Sequence, residues 1–496
     1  MLYIRMLLMM CISLYTSRIV LEVLGIEDYG IYNVVGGVIT TLSFFNGMLS
    51  SASQRFITYA LASKDNQKIK KVTGNCISVH LILAGIVVLI SETIGLWFLN
   101  TQLNIPANRM IAANVIYQCV LLSFVMNIWS IPYNAMIVAH ERMGTFAYIS
   151  ILEVSLKLIT VLLLVYIPFD KLILYAVMWM IVALLIRFIY SSYCIRNFEE
   201  GKSKPCIDKD LFKNILSFSG YNLIEIFANM LSDQGLNIML NIFFGPIVNA
   251  ARGIAVQVNN AIIGFTNNVT TAVQPQITKS CASQDFARMT YLISKTNKFS
   301  FFLLTIITVP IIFKAEYILT LWLKNPPEYS ADFLRLLIIY NIIAMLTRTF
   351  YIGICATGDI KRYQLTMGLI KLLILPICYG ALCIWLNPII VYFIIIIFEI
   401  LSIGIRIFLI KDKIQLSVKK YVLDVITPCL IISIPIFTLS WYINVFFKET
   451  FIQLCIYSII TIISNAILIF LIGMTKGEKK KVIYFISHKI KHQNAL

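Results

Sequence analysis

Apolar residues along this chain gather into runs of roughly 20 or more, parted by short polar segments, which is the pattern of helices that cross a bilayer. The runs predict about 14 spans, near residues 3–23, 30–62, 75–99, 110–138, 145–167, 172–193, 213–243, 248–278, 298–322, 332–356, 363–386, 388–410, 421–446 and 450–474. Two of them are interrupted at helical spacing. In the seventh, Asn222, Glu225, Asn229, Asp233, Asn237 and Asn241 recur every three or four positions, which confines them to about half of the helix surface. In the eighth, Gln257, Asn260, Gly264, Asn267, Thr271 and Gln274 repeat that spacing within a narrower arc. Both helices are expected to turn a wet face away from lipid.

The eighth span also has a double. Gly25 to Asp65 lies without a gap over Gly245 to Asp285, 220 positions later, with identities at Phe45/Phe265, Ala52/Ala272, Gln54/Gln274, Ile57/Ile277, Thr58/Thr278, Ala62/Ala282, Ser63/Ser283 and Asp65/Asp285. The shared Gln, Thr, Ser and Asp are not what a merely apolar background supplies, so the pattern reads as a duplication. The offset carries the eighth-span stripe onto Gly37, Thr40, Phe44, Gly47, Ser51 and Gln54, again small or polar in the main. Six spans separate the copies, so the halves run parallel, an arrangement of secondary transporters. The expected fold is an all-α polytopic membrane protein: two six-helix lobes around a central cavity, with two further C-terminal helices. The lobes are placed at 1–200 and 213–412, joined by a linker at 201–212 and followed by spans at 413–474 and a basic tail at 475–496.

Composition agrees: 59% hydrophobic and 13% charged residues exclude a soluble globule. The net charge of +17 raises nucleic-acid binding, but the positions of the cations answer it. With Met1 inside, about 26 Lys and Arg fall in inward loops and the tail and about 5 in outward ones, so topology explains the charge and nucleic acid is not an expected partner. The 11 cysteines are scattered singly and the four histidines form no ligand set, so no metal, cofactor or nucleophile triad is expected. The first 20 residues read as an uncleaved span.

Ionisable residues inside spans cost about 2.5–3.5 kcal/mol each and need a partner, a cavity or an interface. The cations are Arg18, Arg55, Lys157, Arg187, Arg252, Arg348, Lys371 and Arg406; the acids are Glu92, Glu153, Glu225, Asp233 and Glu399. Glu153 and Lys157 are spaced to neutralise each other, as are Glu399 and Arg406 two turns apart. Arg187 and Arg406 are also expected to reach the inner headgroups along their stems. Arg18, Arg55, Arg252 and Arg348 remain without a sequence-local acid. A planar donor fork suits phosphate oxygens, whereas a cavity for organic cations would favour acids and aromatics, so these four are candidate diphosphate ligands. Asn222, Asn229, Asn237, Asn260, Asn267, Gln54 and Gln274 are the candidate polar lining, and Asp233 and Glu225 the candidate ion-coupling groups.

The run Leu24-Gly25-Ile26-Glu27-Asp28-Tyr29-Gly30-Ile31-Tyr32, with Gly47 and Gln54-Arg55-Phe56-Ile57 beyond it and Ala356-Thr357-Gly358-Asp359 after the tenth span, resembles polysaccharide repeat-unit flippases of the Wzx type. These belong to the multidrug/oligosaccharidyl-lipid/polysaccharide exporter superfamily. The resemblance implies a V-shaped, MATE-like transporter in a bacterial cytoplasmic membrane, and the even number of spans with the charge bias places both termini inside. It would carry an undecaprenyl-diphosphate-linked oligosaccharide to the outer leaflet by alternating access, for cell-surface polysaccharide such as O-antigen. The polymerase machinery is the expected protein partner, and coupling to a proton or sodium gradient would need a titratable group, for which Asp233 and Glu225 are the candidates. Gly220, Gly245-Pro246 and Pro275 are the expected bending points. Lipid II flippases are similar in having arginines on the first, second and eighth helices, but their register would put cations near Glu22 and Ser43, where there are none. Lipid II transport and multidrug antiport are the alternatives. A membrane glycosyltransferase is disfavoured because the longest outer loops, near 99–110 and 323–332, are too small for a catalytic domain.

Overall fold

The computed structural model describes residues 44–63, 65–101 and 105–480, and before them Met9, Ile12, Tyr15, Thr16, Ile19, Val20, Val23, Leu24, Asp28, Ile31, Tyr32, Val35 and Gly36. All regular structure among the described residues is helical. In chain order the main helices are α1 (Phe44–Ala62), α2 (Asn66–Thr101), α3 (Met110–Ala139), α4 (Met143–Tyr166), α5 (Lys171–Asn197), α6 (Lys209–Phe244) and α7 (Pro246–Ala282). They continue as α8 (Phe286–Phe313), α9 (Ala315–Leu323), α10 (Ser330–Met345), α11 (Phe350–Thr357), α12 (Lys361–Ile384), α13 (Ile390–Ile410), α14 (Val418–Val445) and α15 (Phe451–Gly473). The chain is an all-α, multi-pass membrane protein.

Among the described residues, nine helices are long and apolar enough to cross a membrane, or ten if the bent pair α10 and α11 counts as one span. The sequence led us to expect about 14. The first expected span lies largely outside the described residues, and α1, α6 and α7 are not among the nine. All three carry the polar stripes, which lower mean hydropathy even where the helix is long: α6 has 36 residues and α7 has 37.

The duplicated segment is matched in helix boundaries. α1 ends at Ala62 and α7 at Ala282, and the next helices begin at Asn66 and Phe286, each pair at the 220-residue offset. In both copies the serine after the helix turns back onto it: Ser63 Oγ donates to the Ala60 carbonyl at 2.7 Å and Ser283 Oγ to that of Ser280 at 3.2 Å. Asp65 caps α2 by accepting from the N–H groups of Gln67 and Lys68 at 2.9 and 3.2 Å. Between α6 and α7 the chain turns at Gly245, whose φ of +80° is open to glycine, and Pro246 supplies the first residue of the next helix.

The helices group into two compact units. The first holds the described residues up to Asn229 together with Thr271–Asp285 and Cys355–Gly368; the second holds Met230–Thr270, Phe286–Ile354 and the described residues from Leu369 onward. In the first, α3 packs on α1, α2 and α5. Its ionic fastenings between elements lie at helix ends. Arg109 bridges Asp28 at 2.7 Å and Asp170 at 2.6 Å, and Asp170 also caps α5. At the other end the segment after α5 is strapped to α2: Ser78 Oγ donates to the Cys206 carbonyl at 2.8 Å, Asn75 Oδ1 accepts from the Asp208 N–H at 2.8 Å, and Lys71 pairs with Asp208. The hydrogen bond from Lys71 holds the Asp208 carboxyl below its usual range.

In the second unit α8 has 67% of its apolar stretch buried, the largest share among the candidate spans, and it packs on α10, α14 and α15. Phe301, Phe302, Phe333, Leu334 and Tyr392 form its core, with the Phe333 and Tyr392 rings 4.6 Å apart. In lipid such helix packing rests on close contact and on interhelical hydrogen bonds more than on exclusion of water.

Candidate functional site

The tenth span breaks between Met345 and Phe350, and α11 leaves α10 at 45°. Leu346-Thr347-Arg348-Thr349 contains neither glycine nor proline, so the break is held from outside. Asn297 on α8 accepts from the Thr349 N–H at 2.9 Å and donates to Tyr421 Oη at 2.8 Å, and Tyr421 in turn caps the Leu346 carbonyl. Backbone that leaves the helical ladder at membrane depth is tolerated where such partners satisfy it.

Arg348 stands in this break. Its Nη2 donates to Asn267 Oδ1 on α7 at 2.8 Å, and it lies within electrostatic reach of Tyr340, Glu399 and Arg406. Glu399 on α13 is 1% exposed; Arg406 grips it at 2.5 and 3.4 Å and also donates to Thr347 Oγ1 at 2.9 Å. Lys371 on α12 stands 3.8 Å from the same carboxylate and donates to Tyr340 Oη at 3.0 Å. Two cations therefore pair with one buried carboxylate while Arg348 stands within electrostatic reach, and at neutral pH the cluster carries an excess of positive charge. Arg406 was expected to reach the headgroups as well as to pair with Glu399; the pair forms, and Arg406 is half-buried in it.

Arg252 on α7 is nearly buried, donates from Nη2 to Asp233 Oδ1 at 2.6 Å and is also hydrogen-bonded to Asn237. Asp233 is 54% exposed, so the acid faces outward from a cation that cannot. Asn260 and Asn267 are exposed, while their neighbour Asn259 is buried against Asn341 at 2.6 Å. The second unit thus brings together Arg348 with Asn267, and Arg252 with Asp233 and Asn237.

The other candidates belong to the first unit. Asn222 is buried and accepts from Gln364, a tie between α6 and α12. Asn229 is exposed and folds back on the Glu225 carbonyl at 2.9 Å, with the Glu225 side chain half-buried. Gln54 is buried, with no partner for Nε2 among the described residues, and its repeat mate Gln274 is half-buried. Arg55 stacks on Phe56 and Phe218 at 4.7 and 5.1 Å and borders a cavity of about 690 Å³. Arg18 lies outside the described residues. Arg187, expected to reach the headgroups, is buried between the Trp129 and Tyr133 rings at 4.4 and 4.3 Å, because those rings hold its stem inside the helix pack. Glu153 and Lys157 pair at 2.6 Å, as their spacing predicts.

Such an arrangement offers hydrogen-bond donors and fixed positive charge, the chemistry that suits an anion. Sequence reasoning missed the helix break, and it left Lys371 out of the site. The available signal was the charge in the interiors of spans ten to twelve, Arg348, Lys371 and Arg406 against Glu399.

Residues 2–281 match the family model described as "Polysaccharide biosynthesis protein". No curated protein matches the chain in sequence. Among solved structures, a MATE transporter in mutant form superposes with a TM-score of 0.72 at 12% identity, covering 84% of this chain and 95% of that one. An outward-facing multidrug resistance MATE family transporter of the MOP superfamily gives 0.69 at 13%, covering 84% and 94%. A MOP superfamily transporter from Pyrococcus furiosus, described as having a binding pocket of reverse polarity that suggests a different function, gives 0.67 at 12%, covering 84% and 94%. The chain shares their fold.

Proposed function

Because the chain belongs to the polysaccharide biosynthesis protein family, we propose that it is a flippase moving polyprenyl-diphosphate-linked oligosaccharide repeat units from the inner to the outer leaflet of a cytoplasmic membrane. The observation that supports this most is the charge around the break of the tenth span. Arg348, Lys371 and Arg406 exceed their one carboxylate, Glu399, and an organic cation would be repelled there while a diphosphate would be held.

In this reading Arg348 and Arg252 take the diphosphate at membrane depth, and Arg18 and Arg55 serve the same group elsewhere on its route. Asn237, Asn260 and Asn267 offer hydrogen bonds to sugar hydroxyls, as do Asn229 and Gln274 on the first-unit stretches of the same stripes, while Asn222 and Gln54 are buried inside the first unit. The polyprenyl tail stays in lipid. No covalent bond changes; alternating access moves the bound headgroup, and Gly245 and the proline of α7, Pro275, are the bending points. Asp233 or Glu225 couples the cycle to a proton or sodium gradient. Asp233 fits the role better, since it shares Arg252 and an arriving phosphate would compete for that guanidinium. The basic loops face the cytoplasm, and both termini with them.

Reconstitution into liposomes tests the reading. A fluorescent polyprenyl-diphosphate oligosaccharide should reach the opposite leaflet, and Arg348→Ala and Arg252→Ala should slow it. Efflux of an organic cation with no lipid movement would overturn the proposal in favour of a drug antiporter.

A further inference from the structure

The cavity beside Arg55 lies at the far end of α1 from Phe44, where α1 meets the start of α2, the first turns of α6 and the 357–361 connection. Its charged lining is Arg55, Lys68 and Lys361 against one carboxylate, Asp359. Lys68 and Lys361 are exposed, and Arg55 is half-buried, with its Nε finding no hydrogen-bond partner among the described residues. A guanidinium placed this way lacks a partner for part of its donor fork.

Aromatic faces complete the wall. Tyr59 is 40% exposed, with Arg55 5.8 Å from its ring centre, and Lys361 lies 5.8 Å from that of Tyr221. Gly358, with φ at +85°, closes the site: a Cβ there would fall 2.1 Å from Arg55 Nη2. Only glycine leaves the guanidinium room to lie across the connection. Cations beside flat rings match a ligand that carries phosphate next to a sugar, the ring packing on the aromatic face while the phosphate takes the charges.

We propose that this cavity is a loading site, separate from the cluster around Arg348, that takes the sugar-phosphate end of the lipid-linked substrate from the cytoplasmic leaflet before it moves to membrane depth. The proposal rests on the flippase reading and on the cytoplasmic placement of the basic loops. Lys361 and Arg55 bind the phosphate, Lys68 adds charge at the rim, and Tyr59 carries the first sugar.

Ser217 is exposed and lines the same cavity, so Ser217→Cys in the full-length protein places a reporter there. Its labelling by an impermeant maleimide is followed by mass spectrometry in detergent, with a farnesyl-diphosphate disaccharide or inorganic pyrophosphate as the probe. The same preparation is assayed for lipid flipping in liposomes. The lipid-linked sugar should slow labelling about tenfold, the effect of one charge-assisted contact of about 1.4 kcal/mol, and Lys361→Gln and Gly358→Ala should each remove the protection. Tyr59→Ala should weaken protection by the disaccharide and leave that by pyrophosphate unchanged. Equal protection by pyrophosphate and disaccharide would overturn the sugar contact. Active flipping with no protection would overturn the loading site and leave the flippase reading standing, whereas loss of both would overturn the two together.

Discussion

Arg348 donates to Asn267 at 2.8 Å from the one stretch of the tenth span that is not helical. The break puts the arginine where a regular helix could not hold its backbone, and the polar stripe of α7 supplies its partner. A substrate ligand needs this combination, positioned but not consumed by an ion pair of its own. Glu399 differs in being wholly enclosed by its cations.

That difference separates two variants. Arg348→Ala should lower the flipping rate tenfold or more, about 1.4 kcal/mol or above, while moving the melting temperature little, because it removes a half-buried side chain with a neutral partner. Glu399→Gln should cost stability first, about 3–5 kcal/mol, by leaving Arg406 and Lys371 enclosed without their counter-charge. Thermal unfolding in detergent beside liposome flipping checks both; equal loss of melting temperature would contradict the assignment of Arg348 to substrate.

Asp233→Asn keeps a hydrogen-bond acceptor for Arg252 but removes its charge. If Asp233 exchanges Arg252 with the substrate anion during each cycle, the variant should bind pyrophosphate more tightly, by about tenfold for a contact of about 1.4 kcal/mol, and flip more slowly because release is hindered. Calorimetry and the liposome assay read the two effects. Undiminished export by the Asn variant would remove Asp233 from the coupling step.

Much of this was legible in the pattern of residues. The stripes of the seventh and eighth spans, the Glu153 and Lys157 pair and the all-helical fold follow from spacing within one helix. What did not follow depends on partners far apart in the chain. Leu346 to Thr349 has no breaker residue, and it opens because Asn297 and Tyr421, 52 and 75 residues from their backbone partners, satisfy its groups. Arg252 and Asp233 lie on adjacent helices, 19 residues apart, beyond the reach of an i, i+4 rule. The aromatic cage that keeps Arg187 from the headgroups is likewise built from another helix.

Arg187 should prove expendable. Its Nε and Nη1 have no hydrogen-bond partner among the described residues, and the two ring contacts, up to about 2 kcal/mol each, offset only part of the cost of enclosing a cation. Arg187→Met fills similar volume without the charge and is expected to leave the melting temperature unchanged or raise it. A fall equivalent to more than about 2 kcal/mol would mean that the contacts with Trp129 and Tyr133 outweigh the cost of enclosing the charge.

Beyond the last span, Glu478 fastens the end of the described chain to α8. It pairs with Lys298 at 3.0 Å and with Lys295, and it forms a capping box in which it accepts from the Thr475 N–H at 2.7 Å. Lys298 is 1% exposed, so the carboxylate answers a cation that has no access to water. Burial pushes the Glu478 carboxyl up, but the hydrogen bonds from Lys295, the Thr475 N–H and Lys298 outweigh it and hold it at about 2, against an ordinary value of 4.5. A carboxyl lowered on folding contributes in full above its unfolded value and loses that contribution as pH falls toward its folded one. The melting temperature should therefore hold above pH 5 and drop as pH falls from about 4.5 toward 2, more steeply than in Glu478→Gln. At pH 7 that variant should be less stable by about 3 kcal/mol, the lower figure for breaking a buried pair, and the two melting curves should converge in acid. Parallel curves across the whole range would show that the carboxylate charge contributes nothing to holding this segment in place.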